Sequence, residues 1–125
     1  MSIIVFPGQG SQFVGMGKNL LNLPKVKRMF ELASEAFKTD LLKMCLNGPI
    51  NELDKTINCQ PAVFVTSLAA FEHLKEINPT AVGTCYSTAG FSIGEYASLV
   101  LAGSITFEDG MNNRYYLNSS QNKIY

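Results

Sequence analysis

Residues 88–96 read TAGFSIGEY, and within them Gly90, Ser92 and Gly94 fall in the pattern G-x-S-x-G. That spacing can raise a serine on a sharp strand-to-helix turn, with its Oγ clear of a sheet as a nucleophile. A helix beginning just after the serine would aim free N–H groups and the positive end of its dipole at the hydroxyl. The bland alternative is a Gly-Ser turn that only joins strand to helix. The flanks favour the nucleophile, because a short β-type run, Thr84 to Ala89, precedes it and a helical run, Glu95 to Ala102, follows.

A second glycine-rich stretch, Pro7-Gly8-Gln9-Gly10-Ser11, follows an apolar run. It fails as a dinucleotide loop, since Phe13 stands where G-x-G-x-x-G needs its third glycine, and no Gly-Lys-Ser/Thr follows to make a phosphate loop. A plain turn and a loop donating a backbone N–H to an oxyanion both remain open on the pattern. His73, the one histidine, is the obvious base to test against Ser92. It sits among Glu72, Lys75 and Glu76 on the polar end of a helix, which reads as a solvated surface position.

The elements that must hold these residues follow from periodicity and breakers. Ile3 to Phe6 is all apolar and closed by Pro7-Gly8, the pattern of a strand buried in a parallel sheet. Val26, Met29, Phe30, Ala33 and Phe37 recur at helical spacing within Pro24 to Phe37. A short helix begins near Asp40 and stops at Asn47-Gly48-Pro49. Gln60-Pro61 opens a longer helix with the proline in its first turn; it is apolar on nearly every side to Phe71, polar and wet from Glu72 to Glu76, and broken at Asn78-Pro79. Gly103 ends the helix after the serine, and Thr106-Phe107-Glu108-Asp109 reads as a capping box opening one more. Asn112 to Tyr125 has no helical apolar stripe and reads as a loosely packed tail.

Composition bounds the rest. The 125 residues suit one domain, and 46% hydrophobic against 16% charged argues for a folded core. Ten basic and ten acidic side chains cancel, so bulk charge points to neither nucleic acid nor a membrane surface as partner. Cys45, Cys59 and Cys85 are an odd set without C-x-x-C; reduced buried thiols fit better than a disulfide framework or a metal site, and a reducing compartment fits with them. No run is long enough to span a membrane, and neither a secretory nor an Arg-rich transit segment is visible.

FPGQGSQ, then VGMG, then CQPAVFVTSLAAFEHL, then AGFSIGEYASLVLAG, in this order from about Ile3 to Gly110, resemble the malonyl-CoA:acyl-carrier-protein transacylases. Most members carry G-H-S-x-G at the serine; Phe91 in place of that histidine resembles the mitochondrial form of animals. The resemblance implies a seryl-acyl intermediate on Ser92, an oxyanion hole from the backbone N–H groups of Gln9 and Ile93, and a cleft lined by Ser11 and Gln60. It implies malonyl-CoA as substrate, acyl carrier protein as acceptor, no cofactor or metal, a monomer, and a mitochondrial location with the cytoplasm as the alternative.

The fold that the resemblance implies is α/β: the N-terminal part of an α/β-hydrolase-like acyltransferase core, residues 1–111, without the family's ferredoxin-like subdomain, followed by a divergent tail, 112–125. The family's catalytic histidine would lie beyond residue 125. Its malonate-gripping arginine aligns with Leu117, and the nearest arginine is Arg114. With that arginine out of place, an esterase or thioesterase is one alternative reading, and a non-catalytic binder of the carrier protein is another. Two strands are few for an independent sheet, so the chain alone is expected to be marginally stable and, as an incomplete form of the enzyme, to turn over poorly or not at all.

Overall fold

A computed structural model describes residues 1–112. Strand β1 (Ser2–Phe6) is followed by a long loop with one 3₁₀ turn at Lys18–Leu20, then helices α1 (Pro24–Phe37), α2 (Leu41–Asn47), α3 (Ile50–Leu53), α4 (Thr56–Ile77) and α5 (Pro79–Gly83), strand β2 (Cys85–Gly90) and helix α6 (Gly94–Leu101). Residues 107–112 are helical again. The architecture is α/β.

The two strands pair in parallel, with Ile4 opposite Thr88 and Phe6 opposite Gly90, and a register shift between Ser2 and Ile3. A parallel pair needs a long crossover, and here α1 to α5 provide it. Helix α4 is the spine: Ala62, Val63, Phe64, Val65, Leu68 and Ala69 are buried along it. Against it pack Val26, Met29, Phe30 and Ala33 of α1, and α6 lies over both α4 and the sheet. Phe30 and Phe64 are among the largest fully buried side chains. Each contributes about 2–3 kcal/mol of burial by removal of apolar area from water.

Several caps match the sequence. The Asp40 carboxylate accepts from the Lys43 N–H at 3.0 Å, and Thr106 and Asp109 exchange side-chain-to-backbone bonds at 3.0 and 3.4 Å, the reciprocal pattern of a capping box. Asn78 ends α4 and at the same time caps α5, accepting from the Ala81 N–H at 3.1 Å.

Three expectations are corrected. Pro61 is not in the first turn of its helix: α4 starts at Thr56, and the proline is its sixth residue. The proline leaves the Ile57 carbonyl without its usual donor, but Ile57 is exposed, so the helix absorbs the loss near its end. Strand β1 is not buried on both faces: Ile4 and Phe6 face the helices, whereas Ile3 and Val5 are 54% and 69% exposed. Among the described residues, the helices cover one side of the sheet only. The end of α4 is not uniformly wet, since residues 71–74 are half-buried. Glu72 accepts from Lys75 at 3.0 Å and Lys25 at 3.1 Å, tying α4 to α1. Burial alone would raise the Glu72 pKa; the hydrogen bonds from the two lysines outweigh it and hold it below the ordinary carboxylate value.

Candidate active site

Because β1 and β2 run side by side with Phe6 opposite Gly90, the loops that follow them leave from one edge, the carboxyl ends of the strands. Ligands in open α/β sheets bind at that edge. The ladder continues one step past β2, where the Phe91 N–H donates to the Phe6 carbonyl at 3.1 Å.

Ser92 stands on the turn that follows. It is exposed, and its φ is 55°, in the left-handed region that non-glycine residues seldom occupy. The turn closes through Gly94 N–H to the Phe91 carbonyl (2.9 Å) and Glu95 N–H to the Ser92 carbonyl (3.0 Å), and α6 begins at once. The flanking glycines are steric requirements. A Cβ on Gly90 would run into the backbone of Gly94 and Glu95, and one on Gly94 into the carbonyls of Phe6 and Pro7. The sequence pattern thus becomes the geometry it stands for, a strained serine presented between strand and helix.

The loop after β1 packs directly on this turn. Gly8 is buried, and the position of a Cβ on it lies 3.3 Å from the Ser92 Cβ. Gln9 is therefore next to the serine in space. Its side chain donates to the Thr56 hydroxyl at 3.2 Å, and Gln12 donates to Asp54 at 2.9 Å, so the first turn of α4 and the residues before it fix the loop. Neither the Gln9 nor the Ile93 backbone N–H donates to any group among the described residues. An unpaired N–H beside a nucleophile is what an oxyanion needs. Thr56 and Asp54 had no signal in the sequence; they lie more than forty positions from the residues they hold.

The other expected residues fare differently. The Ser11 hydroxyl donates to the Gly8 carbonyl at 2.8 Å, so it closes the loop on itself. Ser11 also lines an apolar groove of about 450 Å³ along β1 and α4, with Phe6, Phe13, Met16, Phe71 and Leu74; Ser92 is not among its lining residues. Gln60 is buried in α4, one helical turn past Thr56, and is not without a partner. Arg114 lies outside the described residues, as does Leu117 and all of the 112–125 tail after its first residue.

His73 is excluded as the base by length. Thr56 touches Gln9 at the site, and His73 is seventeen residues further along α4, about 25 Å at the 1.5 Å rise of an α-helix. It is not the solvated histidine that its neighbours suggest: it is half-buried, and its Nδ1 is buried without a hydrogen-bond partner among the described residues. The thiols of Cys45 and Cys59 are buried, Cys85 is half-buried, and all three are free. Among the described residues no group of three or more His, Cys, Asp or Glu is placed to hold a metal ion, and no helix is long and apolar enough to cross a membrane.

The model of the acyl transferase domain family matches residues 3–120. The chain belongs to this family. It is 51% identical over 110 residues to the mitochondrial malonyl-CoA–acyl carrier protein transacylase of Mus musculus, covering 88% of this chain and 29% of the mouse protein. The crystal structure of an acyl-carrier-protein S-malonyltransferase from Burkholderia pseudomallei superposes with a TM-score of 0.81 at 35% identity, covering 91% of this chain and 36% of that one. A malonyl-transacylase solved in complex with its type II polyketide-synthase acyl carrier protein gives a TM-score of 0.79 at 37% identity, covering 90% and 36%. The chain thus spans about a third of the length of the family members it matches.

Proposed function

We propose that this chain carries the nucleophile and oxyanion loop of a malonyl-CoA:acyl-carrier-protein transacylase. The Ser92 Oγ attacks the malonyl thioester carbon, the carbonyl oxygen becomes an oxyanion held by the Gln9 and Ile93 N–H groups, and the C–S bond breaks to release coenzyme A as its thiol. In the second half, the phosphopantetheine thiol of the carrier protein attacks the seryl ester, its proton is removed, and the malonyl group leaves on sulfur with Ser92 restored. Splitting one transfer into two is the gain from a covalent intermediate. Nothing is oxidised or reduced, so no cofactor is called for. The proton taken from Ser92 needs a base, and His73 is too far away to be it. By family, that base is a histidine beyond residue 125, in the rest of an α/β-hydrolase-like core with its ferredoxin-like insert, and the arginine for malonate's free carboxylate falls at the position of Leu117, with Arg114 as the nearest candidate.

The observation that carries the proposal is Ser92 at a φ of 55° with the Gln9 loop packed on it and two N–H donors unpaired among the described residues. The relatives supply the substrate class, since the mouse protein is named for malonyl-CoA and a structural relative is solved on its carrier protein. The mitochondrial name of the mouse protein supports that location, and a monomer is the simplest assembly for such a site.

The test is the intact mass of the purified chain after mixing with malonyl-CoA, beside Ser92→Ala. A malonyl adduct on the wild type alone is the expected result. An adduct that forms equally on Ser92→Ala would refute the assignment. Transfer to water in place of a carrier thiol would point to the esterase, and binding of carrier protein by both variants without any adduct to the non-catalytic binder.

A further inference from the structure

We infer that Gly8 is a positioning residue that sets the distance between the oxyanion loop and the nucleophile turn, because any side chain there would push the two apart. This rests on the reading of Gln9 and Ile93 as the oxyanion donors. A Cβ on Gly8 would sit 2.6 Å from the Phe91 carbonyl oxygen, 3.1 Å from the Phe91 ring and 3.3 Å from the Ser92 Cβ. The ring can swing away, but the carbonyl cannot.

Both sides of that contact are pinned. The Phe91 carbonyl accepts from the Gly94 N–H at 2.9 Å, and the N–H of the same residue donates to Phe6 at 3.1 Å. The Phe91 backbone therefore cannot move without giving up the turn or the last step of the ladder. On the other side the Gly8 carbonyl accepts from the Ser11 hydroxyl at 2.8 Å and its N–H at 3.4 Å. Gly8 and Ser11 form a closed unit that moves as one, and Gln9 is inside it. The loop as a whole must therefore shift, and it draws the Phe6 carbonyl, two residues before Gly8, away from the Phe91 N–H.

The size of the shift decides the consequence. Ordinary contact would require Gly8 and Phe91 to separate by about half an ångström or more. Oxyanion donors work over a window of about 2.7–3.1 Å, and a site displaced by about 0.5 Å is already outside productive geometry. Gln9 N–H is the donor that moves, because Ile93 stays with the serine. Removing one such donor outright costs about 100- to 1,000-fold in rate.

The experiment compares wild type, Gly8→Ala and Gly83→Ala. Gly83 ends α5 with nothing within 4 Å of an added Cβ, so it controls for a glycine-to-alanine change as such. Acylation by malonyl-CoA is followed by intact mass in single turnover over a range of concentrations, with thermal unfolding and amide hydrogen exchange alongside. The expected result for Gly8→Ala is an acylation rate constant about 100-fold lower, with the half-saturating concentration and the unfolding temperature little changed. Exchange at the Phe91 N–H should also speed up while that of the core amide of Leu68 does not; Gly83→Ala should match wild type throughout. Acylation by Gly8→Ala at the wild-type rate overturns the proposal. So does a rate that falls only in step with global unfolding. If the wild type takes no acyl group, the transacylase reading fails on its own account, and the exchange decides for Gly8: unchanged protection at Phe91 overturns the clasp, faster exchange there alone upholds it.

Discussion

Replacing Ser92 by alanine and, separately, by glycine separates the strain at the turn from the chemistry of the hydroxyl. Both variants lose the nucleophile, and both lose the same exposed hydroxyl. They differ in what a φ of 55° costs. An L-residue in the left-handed region is destabilised by about 1–2 kcal/mol. Glycine escapes that cost but gives the unfolded chain more freedom, worth about 0.5–1 kcal/mol against it. The difference leaves Ser92→Gly more stable than Ser92→Ala by about 0.7 kcal/mol, or about 3 °C in melting temperature for a chain of this size. Paired urea titrations at pH 7 with far-UV circular dichroism measure it, since the common slope cancels in the comparison. If the alanine variant equals or exceeds the glycine variant, Ser92 is not held in the left-handed region, and the strained-nucleophile account of this turn fails.

Phe64 is fully buried and stacked on Phe107 with ring centroids 5.6 Å apart, so Phe64→Ala should cost about 3–5 kcal/mol in chemical denaturation; a loss below about 1 kcal/mol would mean that this face of α4 is not packed as described. Burial pushes the thiols of Cys45 and Cys59 up to about 11, offset in part by a Thr66 hydrogen bond at Cys45 and reinforced by the Asp54 charge at Cys59. Between the ordinary value of 9.0 and that value the unfolded chain releases thiol protons that the folded chain keeps. Their contribution to stability is full below pH 9 and is lost as pH rises toward 11. Stability measured across that window should fall less steeply in the Cys45→Ala/Cys59→Ala variant than in the wild type, and equal slopes would contradict the burial of both thiols.

Much of the site was legible because its parts are local. A G-x-S-x-G turn between a β-type run and a helical run needs only its own steric rules, and the contacts that forbid a Cβ on Gly90 come from residues four and five positions away. Caps are local too, which is why Asp40 and the Thr106–Asp109 pair could be read directly. Short elements were not legible: α3 and α5 have four and five residues, little more than one turn and too few for an apolar stripe to recur along them. Pro61 misled for a different reason. Proline is favoured in a first turn, and here it stands one turn further in, where the carbonyl that loses its donor belongs to the exposed Ile57.

The sequence by itself determined that a G-x-S-x-G turn and a glycine-rich loop each follow a strand, because these follow from residue type and near neighbours. The tertiary structure decided that the two loops meet. Parallel register puts Phe6 beside Gly90, and Gly8 then packs on Phe91 and Ser92 across more than eighty residues of chain. It also decided that Gln9 is anchored by Thr56, that His73 is out of reach, and that Ile3 and Val5 face outward. Each of these depends on which surfaces come together, and no local preference of the chain carries that information.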